Sequence, residues 1–121
     1  MYIFSFEKLE VWQLARHFVG AIYHETATFP DHERFGMTSQ IRRAAISIIS
    51  NIAEGNSRQT GKEKARFFEI AYSSINEVLS QIIIAHDLGY ISEENYNSLR
   101  KSIEELSNKL NALYKAQMKR G

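Results

Sequence analysis

At 121 residues, 44% of them hydrophobic, with six glycines and one proline, the chain is long enough to bury one core and too apolar to be disordered. It has no cysteine, which excludes disulfides, thiolate metal sites and cysteine nucleophiles and suits a reducing compartment. Net charge is only +1, no apolar run approaches the roughly 18 residues a membrane span needs, and MYIFSFEKLE lacks the pattern of a signal peptide, so a cytoplasmic address is the expectation.

The chain opens on an aromatic cluster, Tyr2, Ile3, Phe4 and Phe6, of the kind that folds back on the domain or meets a neighbour. Phe4, Phe6 and Trp12 are the candidates for contact with a subunit or partner. From about residue 7 to 28, Val11, Ala15, Phe18 and Ile22 form one helical stripe, with Leu9, Trp12, Val19 and Tyr23 beside it. Pro30 ends this helix, because the residue before a proline is pushed out of helical geometry.

A second helix is expected over about 39–55, capped by Thr38 or Ser39 and closed by Gly55 in a left-handed conformation. Ile41, Ala45, Ile48 and Ile52 make its buried seam. Gln40, Arg43, Ser47, Asn51 and Glu54 run alongside as a polar row. The loop Asn56 to Gly61 leads to Thr60 and Glu63, a capping box that starts a third helix over about 62–88. Ala65, Phe68, Tyr72, Ile75, Leu79, Ile82 and His86 mark its inner side, and Gly89 closes it. Ser92 followed by Glu93 and Glu94 starts a fourth helix, about 93–118, carrying Tyr96, Leu99, Ile103, Leu106, Leu110 and Leu113.

Nothing reads as a strand, so the expected fold is all-α: a single domain, 1–121, forming an antiparallel up-and-down four-helix bundle. Pairing helices two and three about the middle of their loop makes facing positions sum to about 116, which sets Arg43 between Glu69 and Glu77. An ion pair with one of these acids follows, since a partly buried arginine left alone costs several kcal/mol. The polar row, with Glu69 and Glu77, is thereby assigned to helix-to-helix structure.

No catalytic motif is complete. The residues three before His17, His24, His32 and His86 are Leu14, Ala21, Phe29 and Ile83, so no di-iron Glu-x-x-His pair exists. His24-Glu25 and His32-Glu33 begin like a zinc-protease helix, but Thr28 and Gly36 stand where the second histidine belongs. GNSRQTGK at 55–62 has five intervening residues where a phosphate loop has four, and it follows a helix. No catalytic residue, cofactor, metal or small-molecule substrate is predicted; an enzyme centred on Asn51 and Glu54 is the reading this sets aside.

Charge is distributed unevenly: residues 34–66 hold seven basic against two acidic side chains, and 96–121 hold six against two. In an up-and-down bundle the second loop and the end of the fourth helix share one end. Arg58, Lys62, Lys64, Arg66, Lys115, Lys119 and Arg120 are therefore the candidates for phosphate contact with RNA or DNA. The competing reading is a protein–protein adaptor without nucleic-acid contact.

Several stretches carry a family resemblance: LEVWQLA at 9–15, Phe29-Pro30, ERFG at 33–36, QIRRA at 40–44, Ser47, NIAEG at 51–55, IAYSSINE at 70–77 and LGYI at 88–91. Together they resemble the small bacterial proteins encoded in intervening sequences of 23S ribosomal RNA genes, with Met37 where that pattern has leucine. The resemblance implies a left-handed four-helix bundle without recognised enzymatic activity, forming homo-oligomers, with pentameric rings among relatives. One related branch is similar to accessory proteins of diversity-generating retroelements, which bind a reverse transcriptase and nucleic acid through a basic surface. The ribosomal label on some members reflects gene location, so ribosome membership is not predicted.

Overall fold

The computed structural model describes residues 1–120, and these form four long helices: α1 (Glu10–Thr26), α2 (Met37–Asn56), α3 (Gly61–Asp87) and α4 (Glu93–Arg120). Short 3-10 turns precede α1 (Ser5–Lys8) and link α1 to α2 (Asp31–Glu33). No strand occurs among the described residues. Helices adjacent in sequence pack side by side, and α1 closes the bundle against α4.

The α1 stripe is buried as expected, Val11, Ala15, Phe18 and Ile22, and the α2 seam of Ile41, Ala45, Ile48 and Ile52 has no accessible surface. Leu99, Ile103, Leu106 and Leu110 supply the α4 side. On α3 the buried seam is broader than the alternating pattern suggested. Ala71, Val78 and Ala85 line it beside Phe68, Ile75 and Ile82, whereas Tyr72 is exposed. Small residues at seven-residue spacing let neighbouring helices approach closely, and this weakly apolar signal is easy to pass over.

Three helix ends follow local chemistry. Thr60 Oγ1 accepts from the Glu63 N–H at 3.1 Å, and Ser92 Oγ accepts from the Asn95 N–H at 3.1 Å. Gly89 has φ of 81°, and the pair Tyr90 N–H to Ala85 O and Gly89 N–H to His86 O is a Schellman closure of α3.

Three ends differ from expectation. Residues 7–9 lie outside α1, because the chain makes a 3-10 turn and Leu9 is extended. α2 begins at Met37, so Thr38 lies buried in its first turn, and the cap is the Glu33 carboxylate accepting from the Met37 N–H at 3.2 Å. Gly55 is not a left-handed terminus. It is a buried helical residue, and a Cβ there would stand 2.7 Å from Phe68 Cε1, so it is glycine because α3 crosses against its backbone.

That crossing also resets the α2–α3 register. Ser47 bonds Ser74 and Gly55 meets Phe67 and Phe68, so facing positions sum to 121 or more. The loop is not symmetric, and α3 starts more than a turn beyond the end of α2.

Candidate nucleic-acid interface

The polar row on α2 divides under this register. Ser47 Oγ and Ser74 Oγ are 2.9 Å apart, and Asn51 Nδ2 donates to the Ser47 carbonyl at 2.8 Å and its hydroxyl at 3.2 Å. This knot joins α2 to α3. Gln40, Arg43 and Glu54 are exposed, as are Glu69 and Glu77, with Glu77 accepting from Gln81 one turn on. The expected ion pair of Arg43 with Glu69 or Glu77 does not form: Arg43 forms no ion pair among the described residues.

The arginine that joins helices is its neighbour. Arg42 Nε donates to Thr26 Oγ1 at 2.9 Å, Nη2 donates to the Tyr23 carbonyl at 3.3 Å, and the guanidinium lies 4.6 Å from the Tyr23 ring centroid. It locks α2 to the end of α1, where Thr26 is itself buried. The sequence signal was the two adjacent arginines, of which only one faces α1.

At the end formed by the α1–α2 and α3–α4 connections, Glu33, Tyr90, His86 and Glu93 are paired, while Asp31, Arg34 and Asp87 are exposed. Tyr90 donates its hydroxyl proton to Glu33 at 3.0 Å, so one carboxylate both caps α2 and holds the opposite turn. Burial and this carboxylate together raise the Tyr90 pKa. His86 stacks on Tyr96 with ring centroids 4.0 Å apart and meets Glu93 at 2.6 Å. Arg100 donates to the Tyr96 hydroxyl at 2.9 Å.

The other end differs. A groove of about 200 Å³ lined by Phe68, Glu69, Tyr72, Leu110, Asn111 and Tyr114 sets Phe68 level with Tyr114. Following both helices from there carries Lys62 to the level of Arg120. Because α3 starts beyond the end of α2, its first turn and the last turns of α4 make a ledge. Lys62, Arg66, Lys115, Lys119 and Arg120 on this ledge are all exposed, and after Glu105 the chain has no further acidic residue.

The other two predicted cations are engaged locally. Arg58 pairs with Glu54 and lies 4.4 Å from the Phe67 ring centroid. Lys64 donates to the Asn56 carbonyl at 2.8 Å. Among the described residues, no group of three or more His, Asp or Glu has metal-binding geometry, and no helix is long and apolar enough to cross a membrane.

Of the partner-contact candidates, Phe6 and Trp12 are half-buried against each other, with ring centroids 5.0 Å apart, while Phe4 is exposed beside Tyr2. The amino-terminal turn folds back on the bundle: Asn56 Nδ2 donates to Ser5 Oγ at 3.1 Å.

These features define an all-α up-and-down bundle whose helices are joined by the side chains of Arg42, Ser47, Asn51 and Ser74 and whose α3 and α4 carry five exposed cations near one end. The chain matches the family described as 23S rRNA-intervening sequence protein over residues 7–112, and it belongs to that family. It is similar in fold to the crystal structure of a protein of unknown function from the S23 ribosomal protein family of Bacteroides thetaiotaomicron. The TM-score is 0.80 at 24% identity, over 87% of this chain and 95% of that one. No curated protein matches the chain.

The stretches that carried the resemblance now have physical roles. ERFG and LGYI meet through Glu33 and Tyr90, QIRRA supplies Arg42, and NIAEG supplies Asn51 and the close-packed Gly55. IAYSSINE supplies Ser74. They are the joints of the bundle.

Proposed function

We propose that this protein is a non-catalytic, self-associating bundle that binds RNA or DNA through the ledge formed by α3 and α4. The observation that carries the reading is the cluster of five exposed cations, Lys62, Arg66, Lys115, Lys119 and Arg120, at one end of a chain whose net charge is only +1. A phosphate polymer gains by neutralising such a cluster, because each contacted phosphate releases condensed counterions.

The test is an anisotropy titration with labelled nucleic acid at several salt concentrations. If all five cations reach phosphates, log K falls against log salt with a slope of about −3.5 on single strands, from about 0.7 per contact. Changing the five to alanine abolishes binding while leaving the helical circular dichroism intact. Equal affinity in that variant sinks the proposal.

Self-association belongs to the same reading, a ring of five being the form the family resemblance favours. Ile70 and Ile84 on α3 and Leu88 at its C-cap stand exposed, and apolar side chains on one outward side of a helix favour burial against another copy. Sedimentation equilibrium of the purified protein decides this part, and a monomer at all concentrations rejects it.

A further inference from the structure

At the same end of the bundle as the ledge, an aromatic cluster sits by the amino-terminal turn, which packs against α1 and α2. Tyr2, Phe4, Phe6 and Trp12 form a ladder of rings with successive centroids 5.0, 6.3 and 5.0 Å apart. Its inner half, Phe6 and Trp12, is packed on the bundle, and its outer half is open: Tyr2 is 76% and Phe4 58% exposed. Asn56, the last residue of α2, lies between the amino-terminal turn and the first turn of α3: its side-chain amide donates to Ser5 and its carbonyl accepts from Lys64. The Glu7 carboxylate accepts from the Phe4 N–H at 2.7 Å, which fixes the turn that presents the outer rings.

Resting on the nucleic-acid reading above, we infer that the ligand is a strand with unpaired bases, whose phosphates lie on Lys62, Arg66, Lys119 and Arg120 while its bases stack on Tyr2 and Phe4. Bases stacked on aromatic rings beside a cationic track are the usual means of holding single strands without sequence preference. The Tyr2 and Phe4 planes are 89° apart, so their free faces point in different directions. A duplex keeps its bases parallel and hides their faces, so it cannot use both rings; a strand with splayed bases can. Charge decides against a two-fold contact between copies of this chain here, because it would bring the two cation clusters together. A negative polymer neutralises them.

The experiment compares an unstructured labelled oligonucleotide with a duplex of equal length. The proteins are the full-length wild type, the double variant Tyr2→Ala with Phe4→Ala, and the rescue variant Tyr2→Trp with Phe4→Trp. Wild type is expected to prefer the single strand. The alanine pair should lose roughly 5- to 100-fold on the single strand, the range for one stacked base, keeping its duplex affinity and salt slope. The tryptophan pair should restore single-strand binding.

Equal affinity of wild type for both ligands, with no loss in the alanine pair, overturns the inference and leaves the cationic reading standing. Wild type binding neither ligand removes both. If the alanine pair dissociates in sedimentation and keeps its single-strand affinity, the ladder is a subunit contact and the inference is likewise overturned.

Discussion

The two ends of the bundle are made of similar residue types and put them to opposite uses. At the end that joins α1 to α2 and α3 to α4, the connections are tied together by Glu33 to Met37 and Tyr90, His86 to Glu93 and Arg100 to Tyr96, with Arg34 and Phe35 left exposed. At the other end Arg58 and Lys64 are spent on the loop, while five cations and two aromatic rings face solvent. Charge that satisfies its neighbours stiffens a fold; charge left over is available to a ligand. Substitutions at the closed end should therefore cost stability, and those at the ledge should cost binding.

The largest effect is expected where the closed end meets the core. Phe29 is 6% exposed, with its ring centroid 5.4 Å from that of Tyr90, so it wedges the α1–α2 connection against the α3–α4 turn. Phe29→Ala should lower unfolding stability by about 3–5 kcal/mol through lost burial and the cavity left behind. Chemical denaturation measures it. A loss below about 1 kcal/mol, the ordinary range of surface changes, would show that the connection is not anchored there.

Gly55 tests how tightly α2 and α3 cross near the open end. Gly55→Val drives a side chain into Phe67 and Phe68 and should cost about 1–3 kcal/mol, partly offset by better helix propensity. Gly20 in α1 has nothing within 4 Å of an added Cβ, so Gly20→Ala should stabilise by up to about 1 kcal/mol. A gain in stability at both glycines would contradict the close crossing at Gly55.

A smaller loss is expected at the α2 cap. Glu33→Ala leaves the Met37 N–H without its acceptor and Tyr90 without its carboxylate, and should cost about 1 kcal/mol, as helix-cap losses do. Hydrogen exchange should localise the loosening to the first turn of α2 and the α3–α4 turn together. Protection lost at only one of them would mean that the two turns are not coupled through this carboxylate.

What was legible in the sequence was whatever depends on near neighbours in the chain. Thr60 with Glu63, Ser92 and Gly89 announce helix ends because each bond closes within a few residues. Register was not legible. It depends on how an asymmetric loop lets Phe67 and Phe68 sit on Gly55, and the shift sets Ser74 opposite Ser47, where a sum of 116 puts Glu69, and leaves Arg43 without an acidic partner on α3. The cations of the ledge could be named from composition and topology. The return of the aromatic cluster to that end of the bundle could not, because it rests on the bond between Asn56 and Ser5, 51 residues apart.

Alkaline pH gives the finest comparison, since each region holds one group whose pKa rises on folding. Burial, with the bond to Glu33, pushes the Tyr90 hydroxyl up at the closed end. On the α1–α4 side, the bond and charge of Glu10 push the Lys109 ammonium up. For both groups the unfolded chain releases its proton first as pH rises, so in that interval it binds fewer protons than the folded chain and stability falls. Their contributions are complete below the ordinary values of 10.0 and 10.5 and disappear as pH climbs through the raised ones. Urea midpoints should hold steady up to about pH 9 and then decline. Tyr90→Phe should flatten the earlier part of the decline and Glu10→Gln the later part, because the tyrosine's unfolded value is the lower of the two. If both variants decline like wild type, neither contact is closed in solution, and the contrast between a fastened end and an open one would have to rest on packing alone.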